Sequence, residues 1–255
     1  MSEAGGADSA QLRDGSIELL ERVRQLRPHV HVLTNPVAMT RSADALCALG
    51  ARPSMTVEPR RVAEFVRAAG ALVVNLGMLD DARERAILRA VEAARRFGRP
   101  WLLDPVKVEV SGHRRSFAER LLDAGPAVIR LNAAEFAALG GGDPPAFAAH
   151  RGIVVTLTGA VDVIADGSRS AQIANGSPLL ERLTATGCTL SALLGAFLAV
   201  TSDAFAAATA AVLTFDVAAE CAAEQADGPG TLAARLVDAL YRLDGRTLEA
   251  RARLS

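Results

Sequence analysis

The sequence predicts an α/β protein with a mainly parallel central sheet, helices on both faces, an edge hairpin and C-terminal helices. Three observations predict it. From His29 to Thr158 short, near-continuous apolar runs alternate with helical patterns; strands apolar on both sides belong to parallel sheets covered on both faces. The segment "VDVIADGSRSAQIANG" (161–176) then alternates about an Asp-Gly pair, as an antiparallel hairpin does. The last third is helical in period throughout.

Taken in order, the strands are expected at "HVHVLTN" (29–35), "RPSMTV" (52–57), "ALVVNLG" (71–77), "PWLLDPV" (100–106), "AVIRLN" (127–132) and "GIVVTLTG" (152–159). Between them lie the helical segments "TRSADALCALG", "PRRVAEFVRAAG", "DDARERAILRAVEAARRFG", "RSFAERLLDAG" and "AAEFAALG", several of which close on glycine, a usual helix stop. In the third, Ile87, Leu88, Val91 and Ala94 recur at helical spacing with Arg and Glu opposite. C-terminal helices are expected at Cys188 to Val200, about Asp203 to Gln225, and about Thr231 to Leu243, with "ADGPG" (226–230) separating the last two. The middle one is small and apolar almost all round, so it should pack between neighbours or against another subunit. No repeat or long linker interrupts the chain. Residues 1–15 read as a mobile N-terminal arm and 16–255 as one domain.

Composition excludes several function classes. Half of the 255 residues are apolar and the net charge is −1, with no basic run for nucleic acid. Three widely spaced cysteines, Cys47, Cys188 and Cys221, without a C-x-x-C pair, argue against a disulfide framework or zinc site and fit a reducing cytoplasm. The longest uncharged run, Leu183 to Ser202, opens on small polar residues, which leaves too short an apolar stretch to cross a membrane. A buried core helix is the expectation.

Ligands of parallel α/β sheets bind beyond the C-terminal ends of the strands. There the sequence places Asn35, Met55, Asn75, Gly77, Asp104, Arg130 through Glu135, Thr156, Thr158 and the Thr184–Cys188 turn. Acids, an arginine, hydroxyls and a helix N-terminus on one rim suit phosphoryl transfer, which needs divalent metal and anion donors. Asp104 ends an apolar strand before Pro105, as a functional or a turn carboxylate would. Glu135 could help Asp104 hold Mg2+ through water, or cap a helix begun by Asn132. Cys188 sits at a glycine-led helix start, where the dipole lowers a thiol pKa and phosphate finds free N–H groups.

With these residues on view, the sequence resembles the hydroxyethylthiazole kinase family, of the ribokinase-like fold. The segments that carry the resemblance, in order, are "HVLTNPVAMTRSADALCALGARPSM", "ALVVNLGML", "LLDPV", "VIRLNAAE", "VVTLTGAVDVIADG" and "RLTATGCTLSALLGAFLAV". The resemblance implies ATP- and Mg2+-dependent phosphorylation of 4-methyl-5-(2-hydroxyethyl)thiazole in thiamine salvage, by a homotrimer with sites between subunits. It implies Cys188 as catalytic base, Arg130 and Thr158 as ATP contacts, and Thr186 and Gly187 as the turn around its phosphates. It further implies Met55, Asn35 and Val37 in the thiazole pocket, with Ala185 on the same side, and Asp104 and Glu135 as the metal-side acids.

The chain departs from the family pattern at three places. Ala185 stands where the family has a glycine, at a strain cost if φ is positive. Lys107 and Glu109 stand where glycines are expected after "DPV", and the 140–151 segment is shortened. These departures leave two alternatives beside the thiazole kinase: a relative acting on another small heteroaromatic alcohol, and a homologue that binds nucleotide without turnover.

Overall fold

A computed structural model describes residues 8–255. Eight strands form one sheet in the order β2-β1-β3-β4-β5-β6-β7-β8. The strands are β1 (His29–Leu33), β2 (Arg52–Ser54), β3 (Ala71–Asn75), β4 (Trp101–Asp104), β5 (Val128–Asn132), β6 (Val154–Thr158), β7 (Asp162–Ala165) and β8 (Ser170–Ile173). The first six are parallel, while β7 and β8 are antiparallel and finish the edge. Each expected strand is present, shorter than its apolar run because the chain leaves the sheet at the polar residue that ends it.

The helices are α1 (Ser9–Leu26), α2 (Pro36–Leu49), α3 (Val62–Ala68), α4 (Asp81–Arg96), α5 (Gly112–Asp123), α6 (Ala133–Ala138), α7 (Pro144–Arg151), α8 (Thr186–Leu198), α9 (Ala204–Ala223), α10 (Pro229–Arg242) and α11 (Gly245–Arg251). They divide the core by sheet face. One cluster joins Val30, Val32 and Val73 to α1, α2, α8, α9 and α10; the other joins Leu33, Leu72, Val74 and Leu103 to α3, α4 and α5. This split is the period-2 alternation of buried strands.

Two expectations are corrected, and two helices lie outside what the sequence patterns predict. The arm expected over 1–15 is helical from Ser9, because Asp8 caps α1 and Leu19, Leu20 and Val23 bury its inner face; residues 1–7 lie outside the described residues. Helix α8 starts at Thr186, two residues earlier than its apolar run, so Cys188 lies inside the first turn. The shortened 140–151 segment still holds a helix, α7, capped by Asp143 and opened by two prolines. Helix α11 went unread; the chain end beyond it returns to pair Gln172 with Ser255 along β8.

Helix α8 positions the site. It packs against the middle of the sheet with Thr189 to Leu198 all buried. A β-carbon at Gly195 would stand 2.8 Å from Val30, so the glycine lets the helix lie close on the strands. Helix α9 is apolar over a length that could cross a membrane, yet 78% of that window is buried inside the protein among α1, α8 and α10. That fulfils the expectation of packing between neighbours.

Candidate active site

The parallel register brings polar strand ends together. Asn75 at the end of β3 is the register partner of Asp104 at the end of β4, and Asn132 at the end of β5 partners Thr158 at the end of β6. Beside them the first turn of α8 ends in N–H groups that a helix leaves unpaired. The strand order reverses direction of growth between β1 and β3, which is where a sheet of this kind opens its crevice. Asn35 and Asn75 flank that point.

Asp104 is wholly buried. Its Oδ2 accepts from Asn75 Nδ2 at 2.7 Å and from the Ser191 hydroxyl at 2.8 Å. Its Oδ1 has no hydrogen-bond partner and faces Arg130 Nη1 at 3.7 Å. Burial pushes this carboxyl above its usual range, helped by the charge of Glu135 and opposed by Arg130. Arg130 also donates to Thr158 Oγ1 at 2.6 Å, and Thr158 donates to the Leu131 carbonyl at 3.2 Å. A β-carbon at Gly187 would run into the Arg130 guanidinium, so glycine there lets the cation lie over the α8 N-terminus.

Glu135 does what the capping alternative described. Asn132 and Glu135 form a reciprocal capping box on α6, and the second Glu135 oxygen takes the Lys107 N–H at 2.9 Å. Lys107 reaches this contact with φ at 63°, a left-handed conformation glycine would adopt without strain.

Cys188 lies at the meeting point of α2, β3 and α8. Its sulfur accepts from Asn75 Nδ2 at 3.2 Å and from Asn35 Nδ2 at 3.7 Å. The expected depression of its pKa is corrected. Burial pushes the thiol up to about 11, the negative Asp104 adds to it, and the amide donors and Arg130 oppose. The helix dipole loses here to desolvation and a neighbouring carboxylate.

A cavity of about 280 Å³ opens beside this cluster, lined among others by Arg130, Thr158, Thr186, Gly187, Asp162 and Asp216. The last two were not read from the sequence. Their carboxyls are both buried side by side, and burial holds Asp216 well above the ordinary carboxylate range, with Asp162 adding to it. An Asp in the middle of the small, apolar run of α9, one turn before Glu220, was the available signal. Ser191 was missed too, because a hydroxyl one turn beyond a cysteine looks like core. Arg41, which donates to the Thr184 carbonyl and so fixes the turn before α8, gave no signal in sequence.

The structure therefore gathers Asn35, Asp104, Glu135, Arg130, Thr158, Thr186, Gly187 and Cys188. Val37, on the first turn of α2, is 59% exposed, and Met55, just past β2, is half-buried against the larger core. Neither lines the cavity beside the cluster.

Ala185 caps α8 with φ at 66°, the left-handed region. An L-residue with a β-carbon pays about 1 kcal/mol there. Ala185→Gly is expected to stabilise the fold by about 1 kcal/mol, raising Tm by about 2–4 °C. An unchanged or lower Tm in a calorimetric scan would show that the methyl packs productively.

Comparison with known proteins identifies the family of the chain. The family model described as "Hydroxyethylthiazole kinase family" matches residues 20–144 and 143–246. Hydroxyethylthiazole kinase of Granulibacter bethesdensis is 42% identical over 263 residues, covering 96% of each chain. The solved structure of a hydroxyethylthiazole kinase protein from Pyrococcus horikoshii OT3 superposes with TM-score 0.92 at 39% identity, covering 95% of this chain and 98% of that one. A ribokinase-like superfamily protein from Enterococcus faecalis V583, with TM-score 0.69 at 14% identity, shares the fold. On the family match, the near-complete coverage and the ribokinase-like sheet, the chain belongs to the hydroxyethylthiazole kinase family.

Proposed function

We propose that this protein transfers the γ-phosphoryl group of ATP to the hydroxyl of 4-methyl-5-(2-hydroxyethyl)thiazole, a thiamine-salvage reaction. The observation that carries the reading is the convergence of Arg130, Asp104 and Cys188 at the free N-terminus of α8. Family membership supplies the substrate class.

In this reading the N–H groups of Thr186, Gly187 and Cys188 bind the polyphosphate, and Arg130, held by Thr158, neutralises charge on the phosphoryl in flight. The alcohol stands between Cys188 and that phosphoryl, with Asn35, Val37 and Met55 toward the thiazole. In its ionised form the sulfur takes the alcohol proton while the new O–P bond forms and the bond to ADP breaks. Because the thiol holds its proton so firmly, most of the rate would come from positioning and charge neutralisation.

The acids fit a divalent cation. Asp104 Oδ1 is buried without a hydrogen-bond partner, with Arg130 Nη1 no nearer than 3.7 Å, which leaves an acceptor oxygen open to a cation. Both Glu135 oxygens already bind N–H groups, which leaves Glu135 to act through water. No cluster of three or more His, Cys, Asp or Glu suited to a metal occurs among the described residues. Two carboxylates plus phosphate and water suit Mg2+. When bound, Mg2+ would offset charge on the phosphoryl oxygens.

The homotrimer and a cytoplasmic location belong to the same reading. Exposed Val37, Met78 and Val110 around the strand-end rim offer apolar surface for a neighbouring subunit. Three free thiols suit a reducing compartment.

The test is ADP release from purified protein with ATP, Mg2+ and an alcohol panel. Release that requires hydroxyethylthiazole and Mg2+ together is expected. Release driven only by another heteroaromatic alcohol would overturn the substrate, and tight ATP binding without any turnover would overturn the activity.

A further inference from the structure

We infer that Asn75 is a positioning residue for phosphoryl transfer: it holds the Cys188 sulfur and the Asp104 carboxylate apart and in fixed orientation. The inference rests on Cys188 acting as the base.

The orientation of its amide is set by geometry. The backbone N–H of Gly77 can only donate, so the Asn75 atom 3.0 Å from it is the carbonyl oxygen. Asn35 Nδ2 donates to the same oxygen at 3.1 Å, and Asn35 is itself fixed by the Ala38 N–H on its Oδ1 at 3.2 Å. The Asn75 amino group must then face the other way. There its two hydrogens meet Asp104 Oδ2 at 2.7 Å and Cys188 Sγ at 3.2 Å. All four hydrogen-bonding positions of this buried side chain are used, so it has no second orientation to adopt.

The neighbours guard the arrangement. A β-carbon at Gly77 would stand 2.6 Å from Asn35 Nδ2 and 3.0 Å from Asn75 Oδ1, so glycine there is what admits both amides. The β3–β4 register sets Asn75 beside Asp104, and Ser191 ties the same carboxylate to α8 one turn beyond Cys188.

The consequence is chemical. A thiol beside a carboxylate turns its S–H to it as a hydrogen bond. Asn75 puts an N–H on each partner instead, so the sulfur lone pair is occupied from the Asp104 side and the S–H is left to point away from the carboxylate. The same N–H would stabilise sulfur when it is ionised. Gln is too long for this space, and Asp keeps the oxygen facing Asn35 and Gly77 while removing the amide donor.

The experiment measures kcat and KM of Asn75→Ala and Asn75→Asp, alone and combined with Cys188→Ala, with folding followed by circular dichroism and Tm. Each single change is expected to lower kcat about thirtyfold, the scale of one hydrogen bond to a charged group, with KM for alcohol and ATP within about threefold. In the Cys188→Ala background the same change is expected to cost less than about fivefold, because the partner it positions is gone. Equal losses in both backgrounds, or a rise in KM with kcat unchanged, would overturn the positioning role. If Asn75→Ala fails to fold, the isosteric Asn75→Asp cycle decides alone. Full turnover by Cys188→Ala strikes the assignment of the base; a crippled Cys188→Ala beside a fully active Asn75→Asp strikes only the inference about Asn75.

Discussion

Asp104→Asn is expected to lower kcat/KM by about a thousandfold and to flatten the Mg2+ dependence of ADP release. The reason lies in which atoms already hold the carboxylate. Oδ2 accepts from Asn75 and Ser191, both of which donate, so an asparagine at 104 must present its oxygen to them. Its amino group then occupies the place of Oδ1, facing Arg130 and the cation side. An acceptor becomes a donor, and Arg130, only 13% exposed in its side chain, loses its carboxylate partner. The fold should tolerate the change, because the charge removed is one that burial already disfavours. Thermal melting therefore serves as the control. A Mg2+ titration with an unaltered midpoint, in a variant with wild-type Tm, would remove Asp104 from the metal side.

The second large effect falls on Cys188. Cys188→Ala is expected to lower kcat roughly five-hundredfold, within the range for losing a general base, and to change KM little because the small apolar replacement leaves the α8 N–H groups in place. The pH dependence of the thiol gives an independent reading. With its pKa pushed up to about 11, the thiolate fraction at pH 8 is about one in a thousand. Alkylation of Cys188 by iodoacetamide in the ligand-free protein should therefore rise about tenfold per pH unit through pH 8 to 10. Cys47 is exposed and Cys221 partly so; peptide mass spectrometry separates the three sites. Asp104→Asn removes the second largest cause of the raised pKa, so alkylation at fixed pH should speed up. A rate that levels off near pH 7 would show a depressed thiol and reverse the electrostatic account.

Local pattern made much of the frame legible. The strands announced themselves because parallel strands buried on both faces must be apolar along their length. The hairpin at 161–176 followed from alternation about Asp-Gly, and α9 from a composition that only core tolerates. Elements with weaker local signals were lost. Helix α1 carries charge over its exposed face and begins among small polar residues, so its first turns read as an arm. Helix α7 lies within a run of Gly and Pro that also suits a loop, yet its prolines occupy the first turn, where no N–H is required.

The candidate site divides in the same way. The sequence alone determined which residues end the strands, since strand ends lie where apolar runs meet polar residues; with the parallel order this put Asn35, Asp104, Arg130, Thr158 and the 185–188 turn on one rim. It also marked Ala185 as the position where a positive φ would be costly, and the backbone has that φ. Tertiary structure decided the rest. Only packing shows that Glu135 also takes the Lys107 N–H, that Asn75 stands between Asp104 and Cys188, that Asp162 meets Asp216, and that the Cys188 pKa rises instead of falling. The physical reason is range. Strand and helix periods act over a few residues and can be read along the chain. Desolvation and hydrogen-bond partnership depend on groups such as Asn75 and Cys188, 113 positions apart, which only the closed sheet and the helix laid across it bring together.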